Sequence, residues 1–334
     1  MFNRRLLILY NQLNMKIFVT RAIPEVGLEK LQTAGHEVIV AGTEVLPHDT
    51  LITRLQTENP DAVLCLLTDQ IDSAVLDAAP NAKVFANYAV GFDNIDTVAA
   101  KERGVTITNT PGVLTDAVAE HTAALIVSAA RRVVESDQYL RDGKYQAWGP
   151  LLLLGMALKG KTLGIVGGGR IGHRVAEIMH HGFQMEIVYF DQQKNTDFES
   201  DLGAQFMSEI DDLLAASDVV SIHLPLTPET RHFFSQDRLS KLKPTALLVN
   251  TARGAIIDEA ALAAALQANQ FAGAALDVFE NEPAVNPALL TLDNVTFTPH
   301  TASATKEARD QMSVMAADNV LAVLNGQTPP NPVV

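Results

Sequence analysis

Along the chain, short apolar runs rich in β-branched residues alternate with stretches whose apolar positions recur at helical spacing. The first kind reads as strands: Lys16–Thr20, Glu37–Ala41, Ala62–Leu66, Val84–Asn87 and Val105–Thr108. Helical stretches fall between them, Glu25–Ala34 and Ser73–Ala79 among them. A long alanine-rich stretch, roughly Asp116 to Tyr139, carries Leu125, Ile126 and Val127 and predicts one helix, with Thr115 and Asp116 as capping candidates. A second series follows Lys161: Thr162–Val166, Glu186–Phe190, Ala204–Phe206, Asp218–His223, Ala246–Asn250, Ala272–Val278 and Val295–Thr298. A last helix, about Thr305 to Leu324, is expected before the proline-rich tail Pro329-Pro330-Asn331-Pro332. Such alternation is the pattern of parallel sheets covered by helices, an α/β chain. No solenoid-period repeat or low-complexity tract interrupts it.

With 334 residues, the chain is too long for one ordinary core and comfortable for two. The expectation is two α/β domains, the second series inserted between two pieces of the first. A hydrophobic share of 47% with 19% charged residues places it among folded globular proteins. The net charge of -14 argues against a nucleic-acid partner, which needs basic patches that displace counterions. An anionic ligand must therefore meet a local cluster of donors. The single cysteine, Cys65, excludes an intramolecular disulfide and a cysteine-based zinc site, and within Ala62–Leu67 it reads as a small core residue. No metal is expected. In Met1–Asn14, Arg4 and Arg5 precede Leu6-Leu7-Ile8-Leu9, an apolar stretch too short for a signal peptide or a membrane span. That segment is expected to be an upstream extension or alternative start, with no membrane partner and a cytoplasmic location by default.

Gly167-Gly168-Gly169-Arg170-Ile171-Gly172 follows the strand Thr162–Val166 and opens a helical run. In that context G-x-G-x-x-G is a dinucleotide signature. Gly167 permits a tight turn, Gly169 lets backbone N–H groups approach a pyrophosphate, and Gly172 lets the helix pack on its strand. Arg170 and Ile171, at the start of that helix, are counted with the glycines as cofactor contacts. The hexamer alone is weak, because glycine-rich turns are common. Asp191, at the end of the next strand, strengthens it: a carboxylate there accepts hydrogen bonds from the adenosine ribose hydroxyls. The same carboxylate repels a 2′-phosphate, so NADH is expected over NADPH. Lys194, three residues on, could offset part of that repulsion.

Three further residues stand where strands end, as ligand sites of open α/β sheets require: Arg253, Glu282 and His300. A 2-oxo acid needs such groups. A planar guanidinium forks onto its carboxylate and carbonyl oxygens. A protonated imidazole donates to the carbonyl oxygen while hydride arrives at carbon, and a carboxylate beside the imidazole keeps it charged and oriented. Taken singly these residues prove little, since an Arg after a strand is more often a surface residue and a lone His more often structural. His36, His48, His121, His173, His180, His181, His223 and His232 lack comparable context, although His223, before Leu224-Pro225, reads as lining a cofactor edge.

In their order, these motifs resemble the D-2-hydroxyacid dehydrogenase family, in particular its glyoxylate/hydroxypyruvate reductase branch, from about Met15 to Gly326. The resemblance rests on Asn87-Tyr88-Ala89-Val90-Gly91-Phe92-Asp93-Asn94-Ile95-Asp96, Asn109-Thr110-Pro111-Gly112-Val113-Leu114-Thr115-Asp116 and the glycine loop. It continues through Asn250-Thr251-Ala252-Arg253-Gly254, Asp277-Val278-Phe279-Glu280-Asn281-Glu282-Pro283 and Thr298-Pro299-His300. It implies two Rossmann-like or flavodoxin-like domains: an NAD-binding domain, 113–301, inserted in a substrate-binding domain made of 1–112 and 302–334. It implies Arg253 as the substrate-binding arginine and Glu282–His300 as the catalytic dyad. Val90 and Gly91 would offer backbone N–H groups to the substrate carboxylate, with Leu66 beside them. Asp277 would hold the nicotinamide amide, and Thr115, His223 and Thr251 would be further cofactor contacts. Ala147-Trp148-Gly149-Pro150 resembles a loop that reaches a partner subunit, so a homodimer built on the long helix is implied. Gly168 departs from the family, which often has a larger apolar residue there, and should loosen the turn without removing a donor. Glu120-His121 is a less usual pair with no evident role.

The expected activity is NADH-dependent reduction of glyoxylate or hydroxypyruvate, to glycolate or D-glycerate. A D-lactate or other D-2-hydroxyacid dehydrogenase is the alternative. A phosphoglycerate enzyme is weakened by the early end of the chain and by the lack of an added basic cluster. A non-enzymatic NAD-sensing corepressor is weakened by the lack of a low-complexity recruitment tail.

Overall fold

A computed structural model describes Asn14–Val334, so the reading of Met1–Asn14 as an extension lies outside the described residues but for Asn14. The chain forms two compact units: the described residues up to Leu114 together with Ala304–Val334, and Thr115–Ser303.

The first unit is built on a five-stranded parallel sheet ordered β2-β1-β3-β4-β5, with β1 Lys16–Val19, β2 Glu37–Val40, β3 Ala62–Cys65, β4 Val84–Asn87 and β5 Thr106–Thr108. Every residue of β3 and β4 is buried, and all but Asn87 are apolar, as in a parallel strand covered on both faces. β2, at the edge, stays partly exposed. The helices α1 Glu25–Thr33, α2 His48–Glu58, α3 Ser73–Asp77 and α4 Thr97–Glu102 connect the strands, and Asp72 and Asp96 cap α3 and α4 through their carboxylates. The closing helix, Lys306–Leu324, is capped by Thr305 and packs so tightly on α1 that a Cβ at Gly27 would lie 2.3 Å from Ser313 O. Beyond that helix the tail returns to β5: Val333 N donates to Ile107 O at 2.7 Å and Ile107 N to Val334 O at 3.1 Å.

The second unit carries a seven-stranded parallel sheet ordered β12-β11-β10-β9-β6-β7-β8. Its strands are β6 Thr162–Val166, β7 Glu186–Phe190, β8 Gln205–Phe206, β9 Val219–Ile222, β10 Leu247–Asn250, β11 Gly273–Leu276 and β12 Val295–Phe297. The order turns back on itself between β6 and β9, the switch point where open α/β sheets leave a crevice for ligands. Helix α5, Thr115–Ala130, lays Ala119, Ala123 and Ile126 against Val175, Ala176 and Met179 of α7, Arg170–Phe183, in one apolar cluster with Ile165 and Ile187.

The single helix expected over Asp116–Tyr139 is two. α5 ends at Ala130, Arg132 turns left-handed (φ 52°), and α6 runs Val133–Arg141. The cause lies downstream. Met156 N donates to Ala130 O at 2.7 Å, so that carbonyl is taken from the helix ladder, and Gly155 passes so close that a Cβ there would lie 2.3 Å from the same oxygen. Asp116 does not stand free at the helix start; its carboxylate accepts from Arg174 Nε at 2.8 Å. No helix among the described residues is long and apolar enough to cross a membrane.

Candidate active site

The glycine loop leaves β6 and enters α7. Gly167 adopts φ 102°, closed to most side chains, and a Cβ there would strike the His223 backbone at 2.8 Å. Gly172 brings the first turn of α7 onto the strand, since a Cβ would fall 2.2 Å from Gly167 O. At Gly169, by contrast, a Cβ would meet nothing within 4 Å. Gly169 is also the N-cap of α7 and brings no side chain to cap it, so helix N–H groups border an open space sized by the missing side chain. That space, with Arg170 and Ile171 on the first turn of α7, fits a dinucleotide pyrophosphate.

Both oxygens of Asp191 are aimed by backbone. Gly168 N donates to Oδ2 at 2.8 Å and Gln192 N to Oδ1 at 2.6 Å. The expected loosening at Gly168 is not found. A Cβ there would already lie 3.3 Å from Tyr189 and 3.5 Å from Phe198, and Asn195 Nδ2 donates to Gly168 O at 3.2 Å; the space is filled from the far side and the turn is held. Lys194 directs its ammonium over the Phe206 ring, 5.5 Å from the centroid. His223, after β9, meets Ser221 Oγ at 2.8 Å through Nε2, and desolvation pushes its pKa down to about 3, so its ring is neutral.

Arg253, Glu282 and His300 follow β10, β11 and β12, three neighbouring strands, on their C-terminal side. His300 Nδ1 lies 2.8 Å from Glu282 Oε2, while Glu282 Oε1 accepts from Phe279 N at 3.0 Å, so both carboxylate oxygens have a fixed direction. The backbone of His300 is left-handed (φ 54°), uncommon for a residue with a Cβ, and is held there by its N–H on Asp277 O at 2.8 Å. With Nδ1 engaged, the imidazole presents Nε2, which has no partner among the described residues. The Arg253 turn joins this loop by close approach: a Cβ on Gly254 would sit 1.9 Å from Phe279 C, which only a glycine tolerates. Asn250 fixes the turn, Nδ2 donating to Arg253 O at 2.9 Å and Oδ1 accepting from Ala252 N at 3.0 Å.

Asp277 is buried, 0% exposed, and held charged: its pKa lies below the ordinary carboxylate value because hydrogen bonds from His121, Thr298, Thr301 N and Ala302 N outweigh the desolvation that opposes them. Thr298 Oγ1 donates to Oδ1 at 2.6 Å, Thr301 N to Oδ1 at 2.8 Å and Ala302 N to Oδ2 at 2.9 Å, so the segment around His300 is wrapped on this carboxylate. Because the Thr298 hydroxyl spends its proton on Asp277, His121 Nε2, 3.0 Å from Thr298 Oγ1, must be the donor to it. His121 and Thr298 thus join the network around Asp277, although their types and spacing in sequence carried no signal of it. Thr251 is buried, and its hydroxyl meets Thr122 Oγ1 at 2.8 Å; Thr122 donates to Val118 O at 2.7 Å, so Thr251 gives its proton to Thr122 and keeps only acceptor capacity. Thr115 is the first residue of α5, and no hydrogen bond ties it to the other candidates.

In the first unit, Leu66, Val90 and Gly91 follow β3 and β4. Leu66 N donates to Asp69 Oδ2 at 2.8 Å and Leu66 O accepts from Asn94 Nδ2 at 3.1 Å, so Leu66 has only its side chain to offer. The N–H groups of Val90 and Gly91 have no partner among the described residues.

A cavity of about 860 Å3 opens in the second unit beside Lys161, Leu247, Gly273 and Val295, at the N-terminal ends of the same strands and away from the catalytic candidates. Among the described residues no group of three or more His, Cys, Asp or Glu could hold a metal ion.

Residues 123–302 match the family model described as D-isomer specific 2-hydroxyacid dehydrogenase, NAD binding domain. The chain is 48% identical to a glyoxylate reductase of Thermofilum pendens over 94% of its own length and 93% of that protein's. A crystal structure of a Thermus thermophilus protein superimposes with TM-score 0.89 at 44% identity, covering 96% of this chain and all (100%) of that one. An NADPH-dependent glyoxylate/hydroxypyruvate reductase of Sinorhizobium meliloti, solved with NADP and malonate, gives TM-score 0.84 at 32% identity, covering 96% and 97%.

Proposed function

The chain belongs to the D-isomer specific 2-hydroxyacid dehydrogenase family of NAD-binding oxidoreductases, and from that premise we propose that it reduces glyoxylate, hydroxypyruvate or both, giving glycolate and D-glycerate, with NADH preferred over NADPH. The observation that carries this reading is the 2.8 Å contact of His300 Nδ1 with Glu282 Oε2, after β12 and β11, with Arg253 after β10 on the other side of β11. NADH, when bound, supplies the hydride that adds to the carbonyl carbon. His300 Nε2 donates a proton to the carbonyl oxygen as that oxygen gains charge, so one oxo acid, one NADH and one proton give one hydroxy acid and NAD+. Glu282 holds the ring by its other nitrogen and balances the charge of the imidazolium. Arg253 forks onto the substrate carboxylate and carbonyl oxygen, which a lysine could not do. The N–H groups of Val90 and Gly91 are further carboxylate donors, and Leu66 adds an apolar side chain.

Support for NADH comes from Asp191, whose two oxygens are fixed by Gly168 N and Gln192 N where a ribose 2′-oxygen is expected, and from Lys194, which is turned to Phe206. The relatives' names do not decide this point, since the Sinorhizobium enzyme is NADPH-dependent. A cytoplasmic homodimer completes the proposal. Its support is the apolar surface that begins at α6 and runs through the following loop, where Trp148 and Leu151 are each 80% exposed and Leu140 and Leu154 61%. The test is NADH consumption with glyoxylate, hydroxypyruvate and pyruvate in parallel. Turnover of the first two with little on pyruvate is the expected result; tight NADH binding with no turnover of any would overturn the activity.

A further inference from the structure

The three peptide units from Ala89 to Phe92 are each fastened by their carbonyl. Ala89 O accepts from Thr110 N at 2.9 Å, Val90 O from Asn109 Nδ2 at 2.8 Å and Gly91 O from Asn87 Nδ2 at 2.9 Å. A trans peptide points its N–H opposite its C=O. Tying these carbonyls therefore turns the N–H groups of Val90, Gly91 and Phe92 away from their anchors, and none of the three has a partner among the described residues. Successive unpaired N–H groups in an irregular turn are anion donors, and in a chain of net charge -14 such a local cluster is what an anionic substrate requires.

Asn109 is itself held from the far end of the sequence. Asn319 Nδ2, on the closing helix, donates to Asn109 O at 3.0 Å, and Asn319 Oδ1 accepts from Asn331 N at 3.0 Å. Asn331 O in turn accepts from Asn109 N at 3.3 Å, while the tail beyond it pairs with β5. Asn319 is buried, an expensive place for an amide unless its groups are engaged, and here both oxygen and nitrogen are.

We propose that Asn109 is a positioning residue for substrate binding: it orients the Val90–Gly91 peptide so that the Gly91 N–H faces the substrate carboxylate, and Asn319 with the tail residue Asn331 holds Asn109 in that pose. Asn87 performs the same task for the next peptide. The inference rests on the reading of Val90 and Gly91 as substrate contacts. It assigns the closing helix and tail a part in substrate affinity, distinct from any part in NADH affinity.

The experiment compares the whole protein with Asn109→Asp and Asn319→Ala. Asn109→Asp keeps the shape but replaces the donor to Val90 O with a second acceptor. The measurements are glyoxylate KM and kcat, the inhibition constant or NADH-dependent binding of oxalate, the NADH dissociation constant and the melting temperature. The expected result for Asn109→Asp is a rise of roughly tenfold or more in the glyoxylate KM and the oxalate constant, the scale of one hydrogen bond to a charged group, with NADH affinity within about twofold. Asn319→Ala should move the same two constants the same way by less. A purely structural role would lower the melting temperature and the active fraction with both constants unchanged, and that outcome overturns the proposal. Should the wild type bind oxalate yet turn over no oxo acid, the proposed activity fails, and the oxalate constants of the variants still decide this inference. Failure of the wild type to bind oxalate would overturn it outright.

Discussion

In the proposed reaction, the loop carrying Glu282 and the loop carrying Val90 and Gly91 both present groups to a small acid, but they do so with different parts of the chain. The first uses side chains. Its carboxylate and imidazole are the working atoms, and backbone contacts at Phe279 N and Asp277 O only aim them. The second uses backbone, and there the side chains of Asn87 and Asn109 do the aiming. The difference teaches where a substitution bites. In the Glu282 loop a single change deletes chemistry. In the Val90 loop no change can delete the N–H groups without a proline, so function is reached only through the residues that orient them.

The strongest way to break this comparison is to remove the chemical loop's working atoms. His300→Ala should lower kcat by about two to four orders of magnitude, the usual worth of a positioned general acid, with NADH affinity retained. Glu282→Gln should lower kcat less and change the shape of the pH–rate profile. A profile identical to that of the wild type would show that the 2.8 Å contact does not serve the reaction. Next in size is Arg253→Lys, which keeps the charge and loses the fork. A loss of roughly 10- to 100-fold in kcat/KM, shared between a higher KM and a lower kcat, follows from a charged hydrogen bond worth about 1.5–3 kcal/mol. Normal kinetics in this variant would remove Arg253 from the site.

The same contrast explains what the sequence allowed to be read. Strands, their parallel pairing and the two series of elements were legible because buried parallel strands are apolar on both faces, as β3 is. The glycine loop was legible because Gly167 and Gly172 answer to backbone contacts that exclude a Cβ. The break at Arg132 was not, because its cause is Met156 and Gly155, which reach Ala130 from another part of the chain. Nor were His121 and Thr298, since their place beside Asp277 depends on α5 and β12 meeting in space, and nothing in their spacing records it. Gly168 misled for a related reason: the missing side chain suggested a loose turn, while Tyr189 and Phe198 fill the space from behind.

Asp191 stands between the two loops in kind, a side chain whose direction is set by two backbone donors. Asp191→Ala should raise the ratio of NADPH to NADH efficiency by roughly tenfold. That is well under the ceiling of about 4 kcal/mol for unit charges 4 Å apart at a dielectric near 20, because the residue is partly exposed. An unchanged ratio would take Asp191 out of the ribose pocket.

The smallest effect is on stability, read without cofactor at the end of β9. The backbone of His223 closes on the Gly167 turn, and desolvation pushes the pKa of its ring down to about 3, against 6.5 when unfolded. Between those values the unfolded chain binds a proton that the folded chain refuses. The contribution of the neutral ring is therefore complete above pH 6.5 and is lost as pH falls toward 3. Measured without cofactor, the unfolding free energy of the wild type should fall with acidification more steeply than that of His223→Gln, by up to about 1.4 kcal/mol per pH unit, the worth of one proton. Parallel slopes across pH 4–6 (roughly, within the window set by the two values) would mean that the ring charges without cost.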